Sequence, residues 1–252
     1  PGEVHEFYEI MRSGRRITTT QVPVEEFNRV FTKYIEAGQD IVYIACSSKQ
    51  SGSVNTAHVL AEKLMKEYPE RKIFCIDSLN ASMGEGMLAI EAARLAEKDM
   101  SAEEINEKIT AMRKIVNEYC TVHSLDALRR AGRVKATSAF FGNLMGVKPI
   151  IIADAVGAQS AFKKVKGRQN SFKEIVSLLK ESIIDLENQT VYVLHADCTS
   201  EEVDQLKGLI LLEIPCKEIY VGYIGPIIGA SIGPDAVAIF GLGKEVTYNL
   251  GD

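Results

Sequence analysis

The sequence predicts an α/β fold in two parts: an N-terminal Rossmann-like parallel sheet with flanking helices, spanning residues 1–120, and a C-terminal α+β domain, spanning 121–252. Three observations carry this. Two short apolar runs, Ile41–Cys46 and Lys72–Asp77, each lead through a hydroxyl-rich loop into an amphipathic stretch, which is the pattern of consecutive βα units. Beyond about residue 120 the order changes to hairpin-like pairs mixed with helices. The 252 residues are 46% apolar and 25% charged, a globular composition that excludes disorder and collagen-like structure.

The segment Val4 to Met11 reads as a helix, where a parallel domain ordinarily opens with a strand, and this suggests a piece missing ahead of Pro1. A helix starts at Pro23, with Phe27, Val30, Phe31 and Tyr34 on one stripe and Gly38 as its stop. The first strand, Ile41–Cys46, is followed by the loop Ser47–Ser53 and a helix from about Val54 to Tyr68. The second, Lys72–Asp77, is followed by the loop Ser78–Gly86 and a helix from about Met87 to Glu97. Ser101 and Glu104 form a capping box for a helix whose apolar face is Ile105, Ile109, Met112, Val116 and Tyr119. Downstream come a short helix start at Ser124–Leu128, a helix from about Lys135 to Met145, and a hairpin of Pro149–Ala153 with Ala158–Val165. A helix capped by Ser171 and Glu174 ends near Leu186, and one opened by Thr199 and Glu202 follows the strand Thr190–His195. Glu218–Tyr223 and Ala236–Phe240 are the closing strands. There is no tandem repeat and no low-complexity tract.

A net charge of −5 argues against a globally basic nucleic-acid surface. The five cysteines are odd in number, widely spaced and lack a CxxC pair, so buried thiols in a reduced, cytoplasmic compartment are expected, Cys46, Cys75 and Cys120 in particular. The four histidines show no zinc spacing, and no metal or cofactor is expected. No apolar run reaches the roughly 18 residues of a membrane span, and the first residues lack the apolar core of a signal peptide.

The pattern G-x-S-x-G occurs at Gly229–Gly233, but no histidine follows Ser231, so a tight backbone turn is expected there and not a hydrolase nucleophile. Gly84-Glu85-Gly86 lies too far from its strand for a dinucleotide fingerprint, and there is no P-loop. Asp77, at a strand end, reads as a cap for the following loop. What stands out is hydroxyl density. Thr18-Thr19-Thr20-Gln21, the Ser47–Ser53 loop, and Ser78 with Ser82 would gather at one sheet edge, beside helix N-termini. That suits an anionic head group, and the same residues also serve as plain helix caps. No general base accompanies them, so binding is better supported than catalysis.

These segments resemble the DegV family of bacterial lipid-binding proteins across most of the chain. Thr18-Thr19-Thr20-Gln21 resembles its T-[TS]-[ST]-Q segment, Ser47–Ser53 its S-S-x-x-S-G-[TS] loop, and Asp77–Gly86 its D-S-x-x-x-S-x-G-x-G segment. Leu128–Val134, Lys148-Pro149-Ile150, Lys166-Gly167-Arg168 and the closing Gly225–Pro234 also have counterparts. The resemblance implies a non-enzymatic carrier that holds a long-chain fatty acid in an apolar tunnel between two domains. It implies carboxylate ligands at Thr19 and Ser51, with Thr20, Ser48, Ser78, Ser82 and Ser231 as head-group neighbours. It further implies a fatty-acid kinase partner that uses the acid for phospholipid synthesis. Ser231 stands where many members carry histidine, and the family's opening strand is absent ahead of Pro1.

Phe140, Phe141, Leu144, Met145, Ile227 and Ile228 are candidate tunnel walls, with core packing as the other reading. Arg129, Arg130, Arg133 and Arg168 lie in a basic cluster with Lys135, Lys163, Lys164 and Lys166, which could dock an acidic partner or reach the head group. The competing readings are a phosphotransferase or hydrolase acting on an anionic substrate at the same loops, and a sensor that binds a protein or nucleic acid.

Overall fold

A computed structural model describes residues 2–124, 126–137, 140 and 146–250. The chain forms two compact units, one of residues 20–114 and one that joins residues 1–19 to 115–252. This corrects the boundary expected at residue 120. Strand β3 (Val116–Thr121) spans that position and pairs along its whole length with β9 (Val237–Leu242), from Val116 opposite Leu242 to Thr121 opposite Val237. The first residues also belong with the C-terminal unit. Helix α1 (Gly2–Arg12) buries Tyr8, whose hydroxyl donates to the Ile224 carbonyl at 2.6 Å, and Arg12 pairs with Asp197 and Asp235.

In the 20–114 unit, α2 (Val24–Glu36) buries Phe27, Phe31 and Ile35, spaced four residues apart on one face. They pack with Ala57, Leu60, Ala61 and Leu64 of α3 (Ser53–Glu67). Strands β1 (Ile41–Ala45) and β2 (Ile73–Asp77) pair in parallel, from Ile41 opposite Ile73 to Ala45 opposite Asp77. Their carboxyl ends therefore lie side by side, which is where a βα sheet places its ligand loops. Helices α4 (Met83–Ala96) and α5 (Ala102–Met112) complete the unit.

The other unit is built on a seven-stranded mixed sheet. Its remaining strands are β4 (Val134–Lys135), β5 (Val147–Ala153), β6 (Gln159–Lys166), β7 (Thr190–His195) and β8 (Glu218–Tyr223), in the order β4-β6-β5-β3-β9-β7-β8. The helices α7 (Arg168–Ser182) and α8 (Ser200–Glu213) bury Phe172, Ile175, Leu179, Leu206 and Ile210 with Val191, Val193 and Ile239 of the strands. The β5–β6 hairpin is closed by Asp154, whose carboxylate accepts from the Val156 and Ala158 amides and from the Ser160 hydroxyl at 2.7 Å. Gly243 follows β9 and donates to the Ile115 carbonyl at 2.8 Å, and a Cβ there would overlap the Ser182 carbonyl oxygen.

Several expected boundaries move. The capping box at Ser101 and Glu104 forms, but α5 stops at Met112, and Val116 and Tyr119 belong to β3. Helix α4 begins at Met83, so Gly84 and Gly86 lie in its first turn. Helix α7 begins at Arg168 after Gly167 with φ +84°, and ends at Ser182; the Ser171 hydroxyl donates to the Arg168 carbonyl within the helix instead of capping it. Lys135 is in a strand, and 138–139 and 141–145 of the helix expected there lie outside the described residues. The stretch read as a tight turn is a short helix, α9 (Pro226–Ile232), with Pro226 at its first position. None of the five cysteines is in a disulfide; Cys120 and Cys198 are buried and the other three partly so. Among the described residues no helix is long and apolar enough to cross a membrane.

Candidate functional site

In the 20–114 unit the loops after β1 and β2 are knitted together. The Ser47 amide donates to the Asn80 carbonyl at 2.9 Å and the Ser78 amide to the Ala45 carbonyl at 3.0 Å. Asp77 caps as expected, its Oδ1 accepting from the Ser48 and Leu79 amides. Ser78 is fully buried, its hydroxyl donating to the Asn80 carbonyl and accepting from the Asn80 amide. The Ser51 hydroxyl donates to Ser53 Oγ at 2.9 Å, and Ser53 Oγ also accepts from the Val22 amide at 3.1 Å. Gln21 lies against Gly52, where any side chain would collide with it. The threonine-rich segment thus reaches the serine loop through Gln21 and Val22, while Thr20 is exposed. Leu79 and Ser82 adopt φ +56° and +54°, so this loop holds two non-glycine residues in the left-handed region.

Thr19 lies in a cleft of 220 Å³ in the other unit. Thr18 and Ser231 share its lining with four arginines: Arg15 and Arg16, which follow α1, and Arg130 and Arg133, from and just after α6 (Asp126–Ala131). No carboxylate, histidine or cysteine lines it among the described residues. The volume falls below the roughly 300–1,000 Å³ of a whole-ligand site, so it suits only a small group. Hydroxyls and guanidiniums with no acid or base can hold an anion but have no proton acceptor to activate one.

The expected site residues therefore fall into separate groups. Thr19 and Ser231 share the arginine cleft, Ser48 and Ser51 belong to the serine loop, and Ser82 precedes α4 without capping it. Ser78 is a correction: its hydroxyl is buried and engaged at both ends, so it builds the loop and does not face a ligand.

The docking arginines also divide. Arg130 and Arg133 line the cleft, and Arg129 is exposed on α6 outside its lining. Arg168 is corrected to an internal role: it donates to Glu202 at 2.8 Å and to the Asp235 carbonyl at 2.7 Å, and stacks on Phe172 with its side chain 13% exposed. Lys163 pairs with Glu174 at 2.6 Å. Of the candidate tunnel walls, Ile227 is 65% exposed, Ile228 is half-buried, Phe140 stacks under Lys164, and Phe141, Leu144 and Met145 lie outside the described residues.

Sequence reading missed Arg15 and Arg16, although the Arg-Arg pair immediately before Ile17 and the threonines was a usable signal. His5, Glu9 and Asp197 approach one another, but Arg12 already pairs with both carboxylates and occupies the oxygens that would face a cation. Burial pushes the Glu85 carboxyl, in the first turn of α4, up to about 7, and the Cys75 thiol up to about 12.

The family model described as DegV matches residues 3–244. A DegV domain-containing protein of Clostridium perfringens is 34% identical over 237 residues, covering 94% of this chain and 81% of the relative. Another, from Streptococcus pyogenes, is 30% identical over 237 residues, covering 93% and 81%. Among solved structures, a DegV lipid-binding protein from Thermotoga maritima matches with a TM-score of 0.82 at 25% identity, covering 98% of this chain and 85% of its own. DegV from Bacillus subtilis, described as a fatty acid-binding protein, matches with a TM-score of 0.78 at 27% identity, covering 94% and 83%. The mixed sheet, the order of its loops and these matches lead to one conclusion: this chain belongs to the DegV family.

Proposed function

We propose that this chain binds a long-chain fatty acid, with its carboxylate held by the hydroxyls of Thr19 and Ser51 and its chain in an apolar tunnel. The observation that carries the reading is the likeness to the Bacillus subtilis fatty acid-binding protein at 27% identity. The cleft at Thr19 supports it, since it offers donors and positive charge without a catalytic base. Each buried methylene contributes about 0.8 kcal/mol, so the chain dominates affinity and the head-group contacts set orientation. The protein acts in the cytoplasm as a carrier without chemistry of its own, presenting the acid to a fatty-acid kinase for phospholipid synthesis.

Native mass spectrometry of the purified protein, followed by denaturing extraction, tests the reading. A stoichiometric fatty acid is expected, reduced in Thr19→Ala/Ser51→Ala while the thermal unfolding curve keeps its cooperativity. Unchanged occupancy in that variant would sink the two assignments. Incubation with ATP and fatty acid, with and without a bacterial fatty-acid kinase, tests the carrier role: phosphorylation is expected only with the kinase. Turnover by the chain alone would make it an enzyme.

A further inference from the structure

We propose that Lys148 is a covalent modification site, an amine that takes an acyl group from small activated acyl donors with His123 as its base. Neither residue lines the arginine cleft, and the site does not depend on the ligand proposed above. Strand register brings the two together. β3 and β5 are antiparallel with Thr121 opposite Ile150, and the same register two residues further on sets His123 opposite Lys148. The Lys148 ammonium donates to His123 Nδ1 at 3.3 Å and to the His123 carbonyl at 3.2 Å. An ammonium has no lone pair, so Nδ1 accepts and the neutral ring carries its proton on Nε2. Nε2 faces Glu202 Oε1 at 3.7 Å, and Arg168 holds that same oxygen at 2.8 Å. Amine, base and orienting carboxylate thus stand in the order that an activated nucleophile requires. Lysines elsewhere are placed differently: Lys63, Lys163, Lys180 and Lys207 each lie against a carboxylate, which favours the charged and unreactive ammonium.

Burial and the Arg168 charge hold the Lys148 amine below the ordinary lysine range, opposed by Glu202 and Asp235. Burial, Arg168 and Lys148 likewise hold His123 below its ordinary value, opposed by Asp235 and Glu202, so at pH 7.5 the ring is neutral and able to accept a proton. Lys148 is half-buried and the His123 side chain is 42% exposed, which leaves the amine open to a small donor. In the step, Lys148 passes one proton to His123 Nδ1, and the freed lone pair attacks the acyl carbon. An N–C bond forms as the C–O bond to phosphate, or the C–S bond to a thiol, breaks. The leaving group takes the bonding electron pair and the second surplus proton of the nitrogen, and His123 returns its own proton to water. The product is an amide on Lys148, without charge.

Labelling with acetyl phosphate, and separately with the acetyl thioester of N-acetylcysteamine, tests this by peptide mass spectrometry. The exposed Lys98 and Lys173 of the same chain serve as internal standards. At pH 7.5 Lys148 is expected to acetylate at least tenfold faster than either. From pH 7 to 9 the standards should speed up about tenfold per pH unit, the behaviour of a simple amine well below its own pKa. Lys148 should change less than about threefold over that span, because the proton it must lose passes to His123. His123→Gln should slow Lys148 at least tenfold and restore the steep pH profile, with the standards and the thermal midpoint unchanged. Labelling by acetyl phosphate alone would assign the site to acyl phosphates, labelling by the thioester alone to acyl thioesters, and labelling by both to activated acyl groups as a class. Lys148 no faster than the standards with both donors would overturn the site, as would unchanged selectivity in His123→Gln. If that variant fails to fold, the parent's profile decides: a tenfold rise per pH unit at Lys148 would equally overturn it.

Discussion

In the loops after β1 and β2, nearly every polar group named above already has a partner within the loops. Asp77 accepts two amides, Ser78 bonds at both ends, and Ser53 Oγ takes both the Ser51 hydroxyl and the Val22 amide. In the cleft beside α6, Arg15, Arg16 and Arg130 are exposed and have no carboxylate partner among the described residues. Both regions look polar and functional in sequence. The difference teaches that hydroxyl density reports loop construction at least as much as recognition, whereas uncompensated charge points outward to a ligand. A satisfied network stabilises the fold, and removing one member leaves another buried without a partner.

Substitutions should separate the two kinds of group by chemical denaturation. The largest loss is expected at Arg168→Ala, about 3 kcal/mol, because Glu202 loses its hydrogen-bonded guanidinium, keeping only His123 at 3.7 Å, and Phe172 loses its stacked cation. A loss below 1 kcal/mol would place Arg168 with the uncommitted arginines. Glu118→Gln runs the other way. Burial raises the Glu118 carboxyl from 4.5 to about 7, with Gln159 Nε2 at 3.2 Å as its hydrogen-bond donor. A raised carboxyl contributes stability that is full below the unfolded value near 4.5 and is lost as pH rises through about 7. The glutamine variant should therefore gain about 3 kcal/mol over the parent at pH 8, and the gap should close by pH 4.5. A pH-independent difference would refute the assignment. Ser78→Ala should cost about 1–2 kcal/mol through its two loop bonds. Ser101→Ala removes the capping box and should cost about 1 kcal/mol. The smallest effect is expected at Arg130→Gln, within about 0.5 kcal/mol, since Arg130 is exposed and has no carboxylate partner among the described residues. A larger loss there would erase the contrast between the two regions.

The parallel pair, its loops and the Ser101 cap were legible because each rests on local chemistry: apolar runs of five or six residues, hydroxyls at turn positions, and Ser and Glu three apart. The end of α5 was not legible, since Val116 and Tyr119 continue the helical spacing while their β-branched and aromatic character suits a strand equally well. Ser171 and Glu174 copied a capping box inside α7, because three-residue spacing recurs along any helix. The arginine cleft joins residues 15 and 16 to 130 and 133, and no local pattern spans a hundred positions. The Leu128–Val134 motif marked half of it, and the placement of α1 with the C-terminal unit supplied the rest.

Gly243, wedged beside the Ser182 carbonyl and bonded to Ile115, has a consequence for the gene. Changes in the third base of a glycine codon are silent, but every single-base change in the first two installs a side chain or a stop. At this codon each such side chain would begin with a carbon placed inside a backbone carbonyl. A library of single-nucleotide variants selected for folded protein should therefore return position 243 with synonymous codons alone.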